Sequence, residues 1–161
     1  MVAKIYVRSG NTYVTDATYE HVDELAPRLR QADLDEVWAS HHLSGYHALK
    51  LSLGMSDPAF SIIHNDKVIA IFGAAPFTDG GASPWLLGSD EIRDIWLPFV
   101  RHSRYFVQLM LDRYGYLENY VDARNVLSIA WLKFCGFKFE PAATYGVERL
   151  PFHRFWMEKG G

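Results

Sequence analysis

Asn125-Val-Leu-Ser-Ile-Ala-Trp-Leu-Lys-Phe-Cys-Gly136-Phe137 reads as a helix with both ends spelled out. Asparagine is a favoured N-cap, because its side-chain oxygen accepts an orphan amide of the first turn. Glycine just past the last turn takes the left-handed conformation that closes a helix without a Cβ clash. Between them Ile129 and Leu132, with Ala130 or the stem of Lys133, recur at helical spacing and form a face for a sheet, and Phe137 turns the chain back into the core.

Working outward, Leu117–Asp122 reads as a strand. The long segment Ile92–Tyr114 before it sets Trp96, Phe99, Val100, Phe106, Val107, Met110 and Leu111 on a broad helical stripe that should pack on the sheet. Further upstream the period becomes that of sheet. Ala59–His64 and Lys67–Ala75, rich in Val, Ile and Phe, flank the turn residues Asn65-Asp66 and predict a hairpin. Pro84–Gly88 predicts a third strand, and the Gly/Pro/Ser cluster at 78–84 is short enough to be a hairpin loop. Nearer the N-terminus, Lys4–Arg8 and Asn11–Thr15 suggest short strands. Thr18 or Asp16 then caps a helix from Tyr19 with Val22, Leu25, Ala26 and Leu29 on one face. Helical stretches over Leu34–Ser40 and Gly45–Gly54 follow, closed by Pro58. Downstream, Phe137–Phe139 and Arg154–Glu158 are closing strands, so the order is β-α-α-β-β-β-α-β-α-β-β.

A chain of 161 residues suits one compact domain, and the expected domain spans residues 1–161. Hydrophobic residues at 49% and aromatics at 15% describe a chain that folds rather than a disordered one. A formal charge of -3 argues against general binding to nucleic acid or to an anionic membrane. The single cysteine, Cys135, excludes an internal disulfide, fits a reducing cytoplasm and is expected to fill the core. No apolar run approaches the ~20 residues of a membrane helix, and the N-terminus lacks the apolar centre of a signal peptide.

The order of three antiparallel strands, a long helix, a strand, a short helix and final strands resembles that of the Gcn5-related N-acetyltransferase (GNAT) superfamily. The stretch Asn125–Phe137 is similar to that family's pattern of an asparagine opening a helix and a Gly-Phe closing it. The resemblance implies an α/β (α+β) fold with a mixed, mostly antiparallel central sheet flanked by helices. It further implies acetyl-CoA in the cleft between the strand before the long helix and Leu117–Asp122, and a primary amine as acceptor. The cofactor's pyrophosphate would rest on the turn before the long helix, among Leu87, Gly88, Ile92 and Arg93, with Asn125 nearby. A narrower likeness, carried by Leu117-Glu-Asn-Tyr-Val121, the Asn125 helix, Gly136, a Phe/Trp-rich final strand and the terminal Lys-Gly-Gly, is to small podophage proteins with a degenerate GNAT-like domain. That group includes internal virion proteins. It implies a bacteriophage source, the host cytoplasm or the virion as location, and protein partners of virion or host.

Two departures bear on chemistry. The family's Arg/Gln-x-x-Gly-x-Gly/Ala spacing is absent, and Asp90, Glu91 and Asp94 place negative charge where phosphates would sit. Leu132 stands where many of these enzymes have a proton-donating tyrosine. The expected protein has therefore lost acetyl-CoA chemistry and acts through contacts anchored by aromatics such as Trp85, Trp96 or Trp156, the alternative being an active N-acetyltransferase. For that alternative, Glu118 and Asp122, which share a strand face, or His64 would deprotonate an amine, and Tyr120 or Tyr145 would supply a proton. His41, His42 and His47 lack metal-ligand spacing, so no metal is expected. Arg93, Arg101, His102, Arg104 and Arg113 read as the wet face of the long helix.

Overall fold

A computed structural model describes residues 4–160. Its elements are β1 (Ile5–Ser9), β2 (Thr12–Asp16), α1 (Tyr19–Leu25), α2 (Gln31–His41), α3 (Gly45–Met55), β3 (Ala59–His64), β4 (Lys67–Pro76), β5 (Ala82–Gly88), α4 (Trp96–Tyr114), β6 (Tyr116–Asp122), α5 (Val126–Cys135), β7 (Lys138–Phe139), β8 (Ala143–Tyr145) and β9 (Leu150–Glu158). Among the described residues these strands form one sheet in the order β1-β2-β3-β4-β5-β6-β9-β7, with β8 also paired to β9. Each neighbouring pair is antiparallel except β5 and β6, which run parallel. The architecture is thus the mixed, mostly antiparallel sheet flanked by helices that the resemblance implied.

Local chemistry explains most of the boundaries. Thr18 caps α1 by accepting from the His21 amide at 3.2 Å, and the His21 ring returns to the Thr18 amide. Asn65 and Asp66 join β3 to β4 with φ of 50° and 64°, a two-residue turn whose twist matches that of the strands. Gly136 ends α5 at φ 97° and Phe137 enters the core, as its sequence required.

Helices cover both faces of the sheet. On one face α4 buries Phe99, Phe106, Val107, Met110 and Leu111, and α5 lies beside it with Leu132 and Cys135 buried. On the other, α1 and α3 bury Val22, Leu25 and Leu49 against Ile63, Val68 and Ile71. Cys135 fills core as expected, and burial pushes its thiol up in pKa, which keeps it unreactive.

Three expectations change. The segment Asp90–Ile95 is a 3-10 turn capped by Ser89, so the α-helix begins only at Trp96. The third strand begins at Ala82, and β8 adds a hairpin with β9 that the apolar pattern did not reveal. Asn125 sits at the N-cap position of α5, yet its side chain bonds none of the helix's own amides, because buried groups on α2 compete for it.

Candidate functional site

β5 and β6 are held by a single bridge, Ala82 to Leu117, and then diverge. The Asn119 side chain spans the opening by donating to the Pro84 carbonyl at 2.7 Å. Beyond that the gap widens into a cleft of about 430 Å³ passing through the sheet. Leu51, Met55, Trp85 and Tyr145 line it from the face carrying α2 and α3, and Phe99, His102, Ser128 and Trp131 from the face carrying α4 and α5. Most of its wall is apolar or aromatic, the usual chemistry of a small-molecule site. The indole N–H of Trp131 is the one sealed side-chain polar atom without a partner among the described residues.

Helix α2 closes the wide end of this gap with a polar junction. Arg30 donates to Asn125 Oδ1 at 2.8 Å, and Asn125 Nδ2 donates to Asp33 Oδ1 at 3.3 Å and Glu36 Oε1 at 3.4 Å. The other Asp33 oxygen accepts the Gly88 amide at 3.0 Å, and Glu36 Oε1 accepts the Asp122 amide at 2.8 Å. The Arg30 amide donates to the Gly88 carbonyl at 2.8 Å. One helix thereby ties the ends of both diverging strands to the start of α5. Burial pushes the Asp33 carboxyl up in pKa against the pull of Arg30. Glu36 is pushed up to about 8, first by burial and then by the charge of Asp33. At neutral pH Glu36 is mostly a protonated acid.

The junction bears directly on whether acetyl-CoA fits. Backbone groups of alternate strand residues point the same way, so Pro84, Leu86 and Gly88 direct theirs into the gap. Pro84 is bonded by Asn119, and both groups of Gly88 are taken by Asp33 and Arg30. Leu86 alone is left to offer backbone groups to a ligand. The turn at 90–95 has no glycine, carries Asp90 and Glu91 in its first turn, and gives its Glu91 amide to Ser89. Glu91 is paired with Arg28 at 2.7 Å. Backbone amides grouped for a phosphate are what such a site needs, and carboxylates on the same turn oppose it. These residues do not fit the pyrophosphate of acetyl-CoA.

The remaining sequence candidates disperse. Leu87 is buried and lines the cleft, Ile92 is in the core, and Arg93 is exposed on the turn. Glu118 accepts from Arg154 Nε at 2.6 Å and from Tyr116 at 2.7 Å, so it is committed to an ion pair on the strand surface. Asp122 is buried and clamped by Arg124 through both Nε and Nη2. Tyr120 does line the cleft, stacked on Tyr145 with ring centroids 3.9 Å apart. His64 bonds Thr12 at 2.7 Å on β3 and takes no part in the cleft. Among the expected aromatic anchors, Trp85 lines the cleft and donates to Ser56, Trp96 packs against Phe99, and Trp156 lies beneath Arg154. Among the described residues no cluster of His, Cys, Asp and Glu suits a metal. His42 instead pairs with Glu148. Sequence reasoning missed Glu36, Arg30 and Asp33. Their only signal was three ionisable residues at helical spacing, which ordinarily marks a wet face.

The fold described above is similar to that of solved acetyltransferases. Ard1 from Thermoplasma volcanium superposes with a TM-score of 0.71 at 14% identity, over 92% of this chain and 97% of that one. An acetyltransferase of the GNAT family from Bacillus anthracis matches at a TM-score of 0.67 and 6% identity, over 98% of this chain and all of that one. The fold is the GNAT fold. RimL, the ribosomal L7/L12 α-N-protein acetyltransferase, solved in complex with coenzyme A, matches at a TM-score of 0.66 and 10% identity, over 96% of this chain and 98% of that one. No family model matches the sequence, and the search of curated proteins gives no match. Among the described residues no helix is long and apolar enough to cross a membrane.

Proposed function

We propose that this chain is a GNAT-fold protein that has given up acetyl-CoA chemistry and acts through the contacts of its cleft and surface. The observation that carries this reading is the end of β5, where Asp33 and Arg30 take both backbone groups of Gly88 and acidic residues occupy the following turn. Protein partners in a phage virion or its host cell are part of the proposal. Their support is the likeness of roughly the last third to half of the chain to podophage proteins and the exposed Leu51, Met55 and Phe77 that line the cleft.

Isothermal titration with acetyl-CoA, paired with melting curves in excess ligand, tests the reading. The expected result is neither heat nor a thermal shift at millimolar acetyl-CoA. A ligand bound only by the folded state would add about 2.7 kcal/mol at a hundredfold excess over its Kd. Micromolar binding, weakened by a change within residues 87–93, would overturn the proposal and favour a second reading. In that reading the protein is an active N-acetyltransferase on a primary amine, supported by the open cleft and the Leu86 backbone turned into it.

A further inference from the structure

The outward faces of α4 and α5 form one surface that neither the core nor the cleft uses. On α4 the exposed positions Leu97, Arg101, Arg104, Gln108 and Asp112 recur at helical spacing with Tyr105 beside them, and on α5 Val126, Ala130, Lys133 and Phe134 do the same. Arg104 joins the two stripes, lying over the Phe134 ring at 4.1 Å and donating to the Phe134 carbonyl at 2.7 Å. Phe99 packs on Trp131 and Ser103 meets Cys135, so contacts advance by one turn on both helices together. The helices therefore run parallel and start at the same end. Leu97 at 74%, Val126 at 72% and Tyr105 at 58% are the three most exposed large hydrophobic side chains among the described residues.

Charge on this surface has one sign. Arg101 and Lys133 make no ion pair among the described residues, and Arg104 is bonded only to a neutral carbonyl. The one acid of the stripes, Asp112, lies in the last turns of α4 and is paired with Lys159 at 3.5 Å. At the other end the exposed Arg93 and Asp94 offset one another, Glu91 is paired with Arg28, and Arg124 with Asp122. Arg113 is turned away to Asp57. Arg101, Arg104 and Lys133 thus stand uncompensated on a chain whose formal charge is -3.

From this pattern we infer that the two-helix face docks the protein on an anionic lipid membrane surface, with Arg101, Arg104 and Lys133 against the headgroups and Leu97, Val126 and Tyr105 inserted between them. Lysine and arginine are drawn to a negative leaflet, and apolar side chains set among them enter the headgroup boundary. Net charge argues against a general attraction to such a membrane, but screening over about 10 Å leaves the field of this face to its own residues. A phosphate-bearing polymer would satisfy the cations and leave Leu97 and Val126 in water. A folded partner would have to bring a matching pocket for each of these separated side chains, whereas a fluid headgroup layer closes around them without one. Binding is peripheral, since among the described residues no helix is long and apolar enough to cross a membrane. The inference goes beyond the loss of acetyl-CoA chemistry and does not depend on it, because none of these side chains lines the cleft.

Co-sedimentation of the full chain with vesicles, without acetyl-CoA, is the test, using phosphatidylcholine alone and phosphatidylcholine with about a third phosphatidylglycerol. The expected result is partitioning at least about tenfold stronger onto the anionic vesicles, largely lost in about 0.5 M NaCl. Arg101→Ala with Lys133→Ala should weaken it by about twentyfold, at roughly fivefold for each cation near the surface. Leu97→Ser with Val126→Ser, which leaves the charge unchanged, should weaken it by about tenfold or more. Lys67→Ala, at an exposed cation that opens β4, should leave it unchanged. All these positions are exposed, and melting curves confirm that the variants fold. No partitioning onto the anionic vesicles, equal partitioning onto neutral ones, or a loss from Lys67→Ala as large as from the paired changes would overturn the inference. Binding that survives Leu97→Ser with Val126→Ser would overturn it as well, because charge alone would then be read and the face would belong to a phosphate-bearing or acidic partner.

Discussion

Removing Asn125 leaves Arg30 and Asp33 short of a partner in a place water does not reach. A buried charge that loses its partner costs far more than an exposed one. Asn125→Ala should therefore destabilise the protein by about 3 kcal/mol, whereas Arg93→Ala on the exposed turn should stay within about 0.5 kcal/mol. Urea unfolding of the two variants checks the contrast. Glu36 yields a second residue-level prediction. Its pKa rises from 4.5 in a free chain to about 8 in the fold, so between those values the native state holds a proton that the unfolded state has released. Unfolding free energy must then fall as pH rises through that window, by an amount on the order of a few kcal/mol, and be insensitive to this group outside it. The difference between wild type and Glu36→Gln, followed by chemical denaturation from pH 4 to pH 9, isolates the effect. A flat difference would mean that the carboxyl is already ionised in the native state.

At the scale of elements, the hairpin of β8 and β9 is docked on the C-terminal end of α2. The amides of Val147 and Glu148 donate to the Ser40 and Ala39 carbonyls at 3.2 and 3.1 Å, and these bonds satisfy carbonyls that the helix end leaves over. Gly146 makes that approach possible, because a Cβ there would lie 2.7 Å from Ser40 Cα. Gly115, at the end of α4, has a similar φ of 77° but open space around it. Gly115→Ala should cost about 1 kcal/mol of left-handed strain. Gly146→Ala adds a backbone collision, should cost about 2–3 kcal/mol, and should loosen the hairpin beside Tyr145. Thermal melts together with Tyr145 ring shifts by NMR separate the two outcomes.

For the molecule as a whole, the β1–β5 and β6–β9 parts of the sheet are joined by one bridge, by the helices laid across them and by the α2 junction. Asp33 and Glu36 reach from one helix to amides on both sides of the gap. Asp33→Ala should thus raise hydrogen exchange at Gly88 and Asp122 together, by tenfold or more, while the β3–β4 amides stay protected. Exchange that rises at Gly88 alone would mean that the two sides are not coupled through α2.

The hydrophobic period, the Asn65-Asp66 turn, Thr18 and Gly136 were enough to place nearly every strand and helix, because each acts through neighbours within a few positions in the chain. The order of those elements carried the fold, and the missing glycines before α4 carried the doubt about a phosphate site. The sequence also marked Asn125, but as a helix cap. Its actual partners, Arg30, Asp33 and Glu36, lie about ninety positions away in the chain, and no local rule connects them. Likewise Glu118 looked available until β9 laid Arg154 beside it. Short-range propensity determined the elements and their succession. Only the tertiary structure decided which polar groups were consumed in joining them, because burial and pairing arise only once distant segments meet.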